Sequence, residues 1–391
     1  MIQYHKQGLI GQTKHTASYD SKGKLLREEL FSTKGFSGVY STLYYADPPV
    51  SLISNELIKP QTVCEEWEEA PFDYHHFDTN QLSIFGNYFN ARIPMLFNDE
   101  CTIGVFSISN STSLFFQNVL AHELIFVHEG TGEMISPFGR LKFHKGDYII
   151  IPKGVVYQIK CNNMKKNRFL YLESAKEFQI PRSYRNEYGQ MLESAPYCER
   201  DFRLPQLQRT GKKLSSMEVI VKKGNKWYKN TYENHLMNVV GWDGYLYPFI
   251  FNIKSFCPRV GKLHLPPSVH KVFENESLVV CNFVPRVLDF HKDAVTAPYY
   301  HMNIDSEEVL YYLDGEFLSR KGVGEGSMTL HPKGLIHGPQ PGRQEASIRK
   351  KETTEWAVMF DTFNQLKISQ SLAKCRKPEY TRSWLEKKKG K

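Results

Sequence analysis

The chain has 391 residues, of which 41% are hydrophobic, 13% aromatic and 24% charged, with a formal net charge of +8. That length exceeds one ordinary core, and the apolar share is that of a globular chain, not a disordered one. No apolar run approaches the roughly 18 residues of a membrane-spanning helix, and Met-Ile-Gln-Tyr-His-Lys at the start lacks the pattern of a secretory signal. The positive charge gathers in a tail (Lys387, Lys388, Lys389, Lys391) and in Lys160, Lys165, Lys166 and Arg168. Such blocks are solvated tails and loop tips. With no aromatic-interleaved basic stripe or groove-reading helix beside them, they argue against a nucleic-acid partner. The seven cysteines are scattered and never form a Cys-x-x-Cys pair, a usage that fits a reducing cytoplasm and argues against both a disulfide framework and a zinc–thiolate site.

In chain order, residues 1–75 read as an extended polar N-terminal arm with turns at Asp20-Ser-Lys-Gly23 and Pro48-Pro49. Residues 76–240 then read as one jelly roll with a crossing segment. Its strands are Gly104–Ser109, Glu123–Val127, Asp147–Ile151 and Arg168–Leu172, separated by Gly/Pro turns; Pro181, Pro196 and Pro205 interrupt the crossing segment, which carries a strand over Met217–Lys222. Residues 241–391 form a second roll, with strands at Phe249–Ile253, Leu278–Phe283, Val309–Leu313 and Trp356–Phe360. Many short strands with turn chemistry between them, and no long amphipathic helix, predict an all-β fold of two jelly-roll sandwiches.

The second roll contains Gly326-Ser-Met-Thr-Leu-His331-Pro332-Lys-Gly334-Leu-Ile-His337, preceded by His301-Met-Asn303 and by Glu307-Glu308. Gly-x5-Pro-x-Gly-x2-His is the second signature of the cupin superfamily. The first roll repeats it as Gly146–Tyr157, with Pro152 and Gly154 in place and Tyr157 where the histidine belongs. Upstream, Glu123–Gly130 matches Glu308–Gly315 in length. Internal repetition of this kind indicates two copies of one supersecondary plan, the first structural and degenerate, the second metal-binding.

His301, Glu308 and His337 supply two imidazoles and a carboxylate, the donor set that holds non-haem Fe(II) on one face and leaves positions open. Zinc or manganese would accept similar donors. The repeat favours Glu308 over Glu307, since in a strand the two point to opposite faces, although a bulge would reverse the choice. His331 either hydrogen-bonds a substrate oxygen or packs beside the ligands. His264 and His270 lie in a Pro-stiffened loop suited to holding a general base, or are solvated surface residues.

Pro298-Tyr-Tyr-His301-x-Asn303, the glutamate and Leu330-His331-x5-His337-Gly338-Pro339 resemble the iron-binding stretch of the homogentisate 1,2-dioxygenase family. Lys14-His-Thr, Glu28-Glu-Leu and Gly35–Ser41 are similar to the N-terminal arm of its compact bacterial branch. The resemblance implies a homo-oligomeric Fe(II) enzyme acting on a small aromatic substrate and O₂ in tyrosine and phenylalanine catabolism. It implies His301, Glu308 and His337 as iron ligands, His331 beside them, and His264 as general base with His270 as the alternative. The chain departs from the family at Gly315-Glu-Phe317, where a Gly-x-Tyr phenol is expected on the substrate carboxylate. A gentisate- or hydroquinone-type ring-cleaving cupin and a non-enzymatic metal-binding bicupin are the alternatives.

Overall fold

In Asp147–Ile151 and its neighbours nearly every residue is apolar because both faces of their sheet are covered. The computed structural model, which describes residues 3–13, 15–208, 215–297 and 299–385, places this strand inside an eight-stranded sheet. The spatial order is Phe202–Arg203, Phe249–Asn252, Asp147–Ile151, His122–Glu129, Arg168–Ser174, Cys101–Phe106, Ile93–Phe97 and Lys367–Ile368. Successive side chains of a strand point to opposite faces, and the two faces feed separate cores. Leu124, Phe126, Tyr148, Ile150, Leu170 and Leu172 enter one, while Ile125, Val127, Ile149, Ile151, Phe169 and Tyr171 enter the other. Lys14, Pro298 and the tail lysines Lys387, Lys388, Lys389 and Lys391 lie outside the described residues.

The second core is closed by a seven-stranded sheet, which contributes Met134, Leu141, Ile159 and Trp227. The first core is closed by a six-stranded sheet, ordered Lys271–Glu274, Leu278–Phe283, Trp356–Thr362, Glu307–Asp314, Ser327–His331 and His75–Asp78. Val309, Tyr311 and Leu313 face this shared core. Glu308, Leu310 and Tyr312 therefore face away from it, and that outer face carries the site.

The fold is all-β. The α-helices among the described residues are the short Arg343–Ser347 and Gln370–Ala373, and no helix is long and apolar enough to cross a membrane. The N-terminal arm is extended, but it is built into the sheets. Arg27–Ser32 pairs with Tyr40–Tyr45, which pairs with Val239–Gly244, and Leu52–Ile58 pairs with Lys226–Tyr232. The rolls also exchange strands: His75–Asp78 lies against Ser327–His331, and Lys367–Ile368 against Ile93–Phe97. Phe249–Asn252 pairs with Asp147–Ile151 of the first roll.

Candidate metal centre

Two loops and one strand bring the donors together. His301 and His337 form an isolated two-residue bridge, each backbone N–H donating to the other's carbonyl at 2.7 and 2.8 Å. Their rings stand 4.3 Å apart. The loops approach so closely at Gly338 that a Cβ there would lie 2.8 Å from the Tyr300 Cα. Glu308, near the start of Glu307–Asp314, reaches the pair from the sheet, its Oε2 lying 3.7 Å from each of His301 Nε2 and His337 Nε2. The three donor atoms all lie within 4.8 Å of one another.

Sheet register explains the surroundings of Glu308. Its cross-strand neighbours are His331 on one side and Asp361 on the other, and directly opposed residues share a face. His331 Nδ1 lies 2.7 Å from Glu308 Oε1, and its Nε2 lies 3.0 Å from the Tyr380 hydroxyl. His331 is wholly buried and sits behind Glu308, away from the cavity. Burial pushes this imidazole down to about 3, against the pull of Glu308. Burial acts to raise the Glu308 carboxyl, but the facing imidazoles of His301, His331 and His337 hold it well below its ordinary value. Arg320 adds a buried cation, with Nη2 4.0 Å from Glu308 Oε1. Glu307 points into the other face, where its Oε2 accepts the Leu366 backbone N–H at 2.6 Å. Glu308, not Glu307, therefore faces the two imidazoles.

Comparison of the two rolls tests whether a cation fits. The signature glycines adopt left-handed backbone in both copies, with φ of +88° and +85° at Gly146 and Gly154 and +77° and +84° at Gly326 and Gly334. In the first roll Glu123 occupies the position of Glu308, Tyr157 that of His337, and Glu173, the cross-strand neighbour of Glu123, that of Asp361. There the buried guanidinium of Arg92 sits among them. It bonds Glu123, reaches Glu173 at 3.1 Å and donates to the Tyr157 hydroxyl at 2.8 Å, while Lys222 pairs with Glu173 at 2.5 Å. The first roll supplies its own cation. In the second roll Arg320 reaches only Glu308 of this set; among the described residues Asp361 Oδ1 and His337 Nε2 are buried without a hydrogen-bond partner, and burial, followed by the nearby Glu308, pushes Asp361 up to about 7. Buried polar atoms are rarely left unpaired, so this donor set fits a metal ion.

The centre opens into a cavity of about 430 Å³ whose lining includes His301, Glu308, His264, Arg286 and Phe317. His264 Nδ1 lies 3.7 Å from Asp289 Oδ2, and burial lowers its imidazole. His270 also lines the cavity, but it is buried, stacked on Phe283 at 4.8 Å, and pushed by burial down to about 3. Asn303 lines the cavity, and its carbonyl accepts the Gly334 N–H at 2.8 Å. Tyr312 and Tyr299 line the cavity, and the Tyr312 hydroxyl is engaged by Thr329 at 3.1 Å. Arg320, Arg286 and Asp361 had no local signal in the sequence. Only Asp361 left a trace, as the counterpart of Glu173 in the repeat.

The family model described as "Homogentisate 1,2-dioxygenase N-terminal" matches residues 94–253. A protein of Saccharolobus solfataricus named "Putative dioxygenase" is 39% identical over 387 residues, covering 98% of this chain and 99% of its own. The chain belongs to the homogentisate 1,2-dioxygenase family. The homogentisate 1,2-dioxygenase of Bradyrhizobium diazoefficiens is 28% identical over 254 residues, 61% of this chain. That match spans 55% of the Bradyrhizobium enzyme's length. Among solved structures, a "Cupin 2 conserved barrel domain protein" from Leptotrichia buccalis covers 77% of this chain and all of its own at a TM-score of 0.35 and 12% identity, a likeness too slight to bear on function. The family model thus falls mainly on the roll that holds Arg92, while the donor set of this family member lies in the other.

Proposed function

We propose that the protein is an Fe(II)-dependent ring-cleaving dioxygenase that inserts both atoms of O₂ into homogentisate to give maleylacetoacetate. The observation that carries this reading is the two-histidine, one-carboxylate face turned toward a cavity, with buried unpartnered atoms where the first roll holds a guanidinium. His301, Glu308 and His337 would hold the metal. The chemistry supplied by a bound Fe(II) is activation of O₂ and of a phenolate at neighbouring open positions.

The chain's own groups prepare that encounter. Burial keeps His264 neutral, so its imidazole can accept a phenolic proton, and the carboxylate of Asp289 at 3.7 Å stabilises the imidazolium that results. This charge partner favours His264 over His270, which is buried against Phe283 and offers Nδ1 to the Asn282 carbonyl at 3.2 Å. His331 acts as a positioning residue: with Nδ1 donating to Glu308 and Nε2 accepting from Tyr380, its tautomer is set and the carboxylate is held in place. Phe283, Leu310, Phe317 and Met359 offer apolar walls for an aromatic ring. The reaction would run in the cytoplasm, where the seven free cysteines and ferrous iron are both stable.

Phe317 favours a second reading, a gentisate- or hydroquinone-type ring cleaver, because a benzyl side chain cannot donate to the carboxylate on homogentisate's methylene arm. Anaerobic Fe(II) loading followed by oxygen-electrode assay separates the possibilities. Uptake of one O₂ per homogentisate supports the first reading, and uptake with gentisate or an uncharged hydroquinone alone transfers the assignment to the second. No uptake with any of them leaves a non-enzymatic metal-binding protein.

A further inference from the structure

Two arginines line the cavity, and they are in different states. Arg320 is committed: Nη1 donates to the Gly338 carbonyl at 2.7 Å, Nη2 faces Glu308, and the guanidinium lies 5.5 Å from the centre of the Trp384 ring. Arg286, in the two-residue strand Arg286–Val287, is half-buried. Among the described residues its guanidinium donates no hydrogen bond and joins no ion pair within 4 Å. The acidic groups that act on it electrostatically are Glu355 and Asp289, and neither pairs with it within 4 Å. Glu355 Oε2 accepts the Leu318 N–H at 3.1 Å, and burial pushes this carboxyl up, toward its neutral form. Asp289 sits beside His264. A half-buried guanidinium without a protein partner is left free to pair with a ligand, and its planar fork matches a carboxylate bidentately.

We propose that Arg286 is the specificity residue of the cavity, binding a carboxylate carried on a short arm of the aromatic substrate while the ring lies toward the metal centre. This rests on the ring-cleaving reading given above. It also accounts for Phe317: the substrate anion is recognised by a cation from a neighbouring strand pair, so no phenol is needed on the Glu307–Asp314 hairpin. A substrate without the acid would leave Arg286 unsatisfied, which is how a buried polar group discriminates against an analogue lacking its partner.

The test is anaerobic calorimetry with homogentisate and with methylhydroquinone, which keeps the ring and both hydroxyls but lacks the carboxylate. Wild type, Arg286→Gln and Arg286→Lys are each titrated both metal-free and loaded with Fe(II). We expect wild type to prefer the acid by tenfold or more in both states, since the metal-free preference cannot come from chelation. Arg286→Gln should reduce the preference below twofold and leave methylhydroquinone affinity within twofold of wild type. Arg286→Lys should recover part of it. Equal wild-type affinity for the two ligands overturns the proposal without any variant, and leaves ring cleavage standing if O₂ is still consumed. A preference that survives in a folded Arg286→Gln protein also overturns it. Failure of wild type to bind either ligand removes the proposal together with the phenol-binding reading.

Discussion

Glu307 and Glu308 are adjacent, both buried, and predicted to fail in different ways when truncated. Glu307 makes one hydrogen bond that matters, accepting the Leu366 N–H at 2.6 Å on the face away from the metal centre. Glu307→Ala strands that donor in a buried site, at a cost of about 1–3 kcal/mol, and removes no metal donor. Glu308 sits within 3.7 Å of two imidazoles, 2.7 Å from a third and 4.0 Å from Arg320. Glu308→Ala removes one of three donors and the counter-charge of a buried cation, a change that typically costs about 3–5 kcal/mol. The assay is iron per chain after anaerobic loading and desalting, paired with thermal unfolding with and without Fe(II). An ion present at a hundred times its dissociation constant stabilises the folded state by about 2.7 kcal/mol. Glu307→Ala should therefore unfold earlier than wild type yet gain the same increment from Fe(II), whereas Glu308→Ala should gain none. Iron retained in Glu308→Ala and lost in Glu307→Ala would refute the register argument.

His264→Ala should keep its iron and lose turnover by about 10²–10⁴-fold, the usual contribution of a positioned base; equal loss of iron would make it a ligand. Restoring the missing signature histidine with Tyr157→His should leave the protein at one iron per chain by elemental analysis, because Arg92 already bridges Glu123 and Glu173. A second equivalent of iron would contradict that account. His122 and His128 are both pushed by burial down to about 4 from an ordinary 6.5, so between pH 6.5 and 4 the unfolded chain binds more protons than the folded one. Stability should therefore be full above about pH 6.5 and fall as pH drops through 4, by up to about 3 kcal/mol per group. Urea midpoints of the metal-free protein should show this slope, and His122→Gln should flatten it; an unchanged slope would mean that His122 does not titrate as described.

The strands, the signature turns and the donor triad were legible in the sequence because they are written locally. A left-handed φ at Gly326 and Gly334 demands glycine whatever surrounds it, and period-two alternation selects Glu308 over Glu307 once the repeat sets the register. The apolar runs of Asp147–Ile151 and Arg168–Leu172 likewise announced strands, though not that the two faces feed different cores. What only the tertiary structure decided is which distant residues stand beside those local features. His331 and Asp361 flank Glu308 through pairings between separate strands, and Arg92 enters the first roll's acidic cluster from another part of the chain. The arm's strands, and the exchange of His75–Asp78 and Lys367–Ile368 between rolls, follow the same pattern. Arg286 reaches the cavity from a two-residue strand paired with Glu352–Thr353. A side chain's type and spacing do not encode its cross-strand partner, because that neighbour is set by long-range register and by which sheet face is left for a site once the cores are filled.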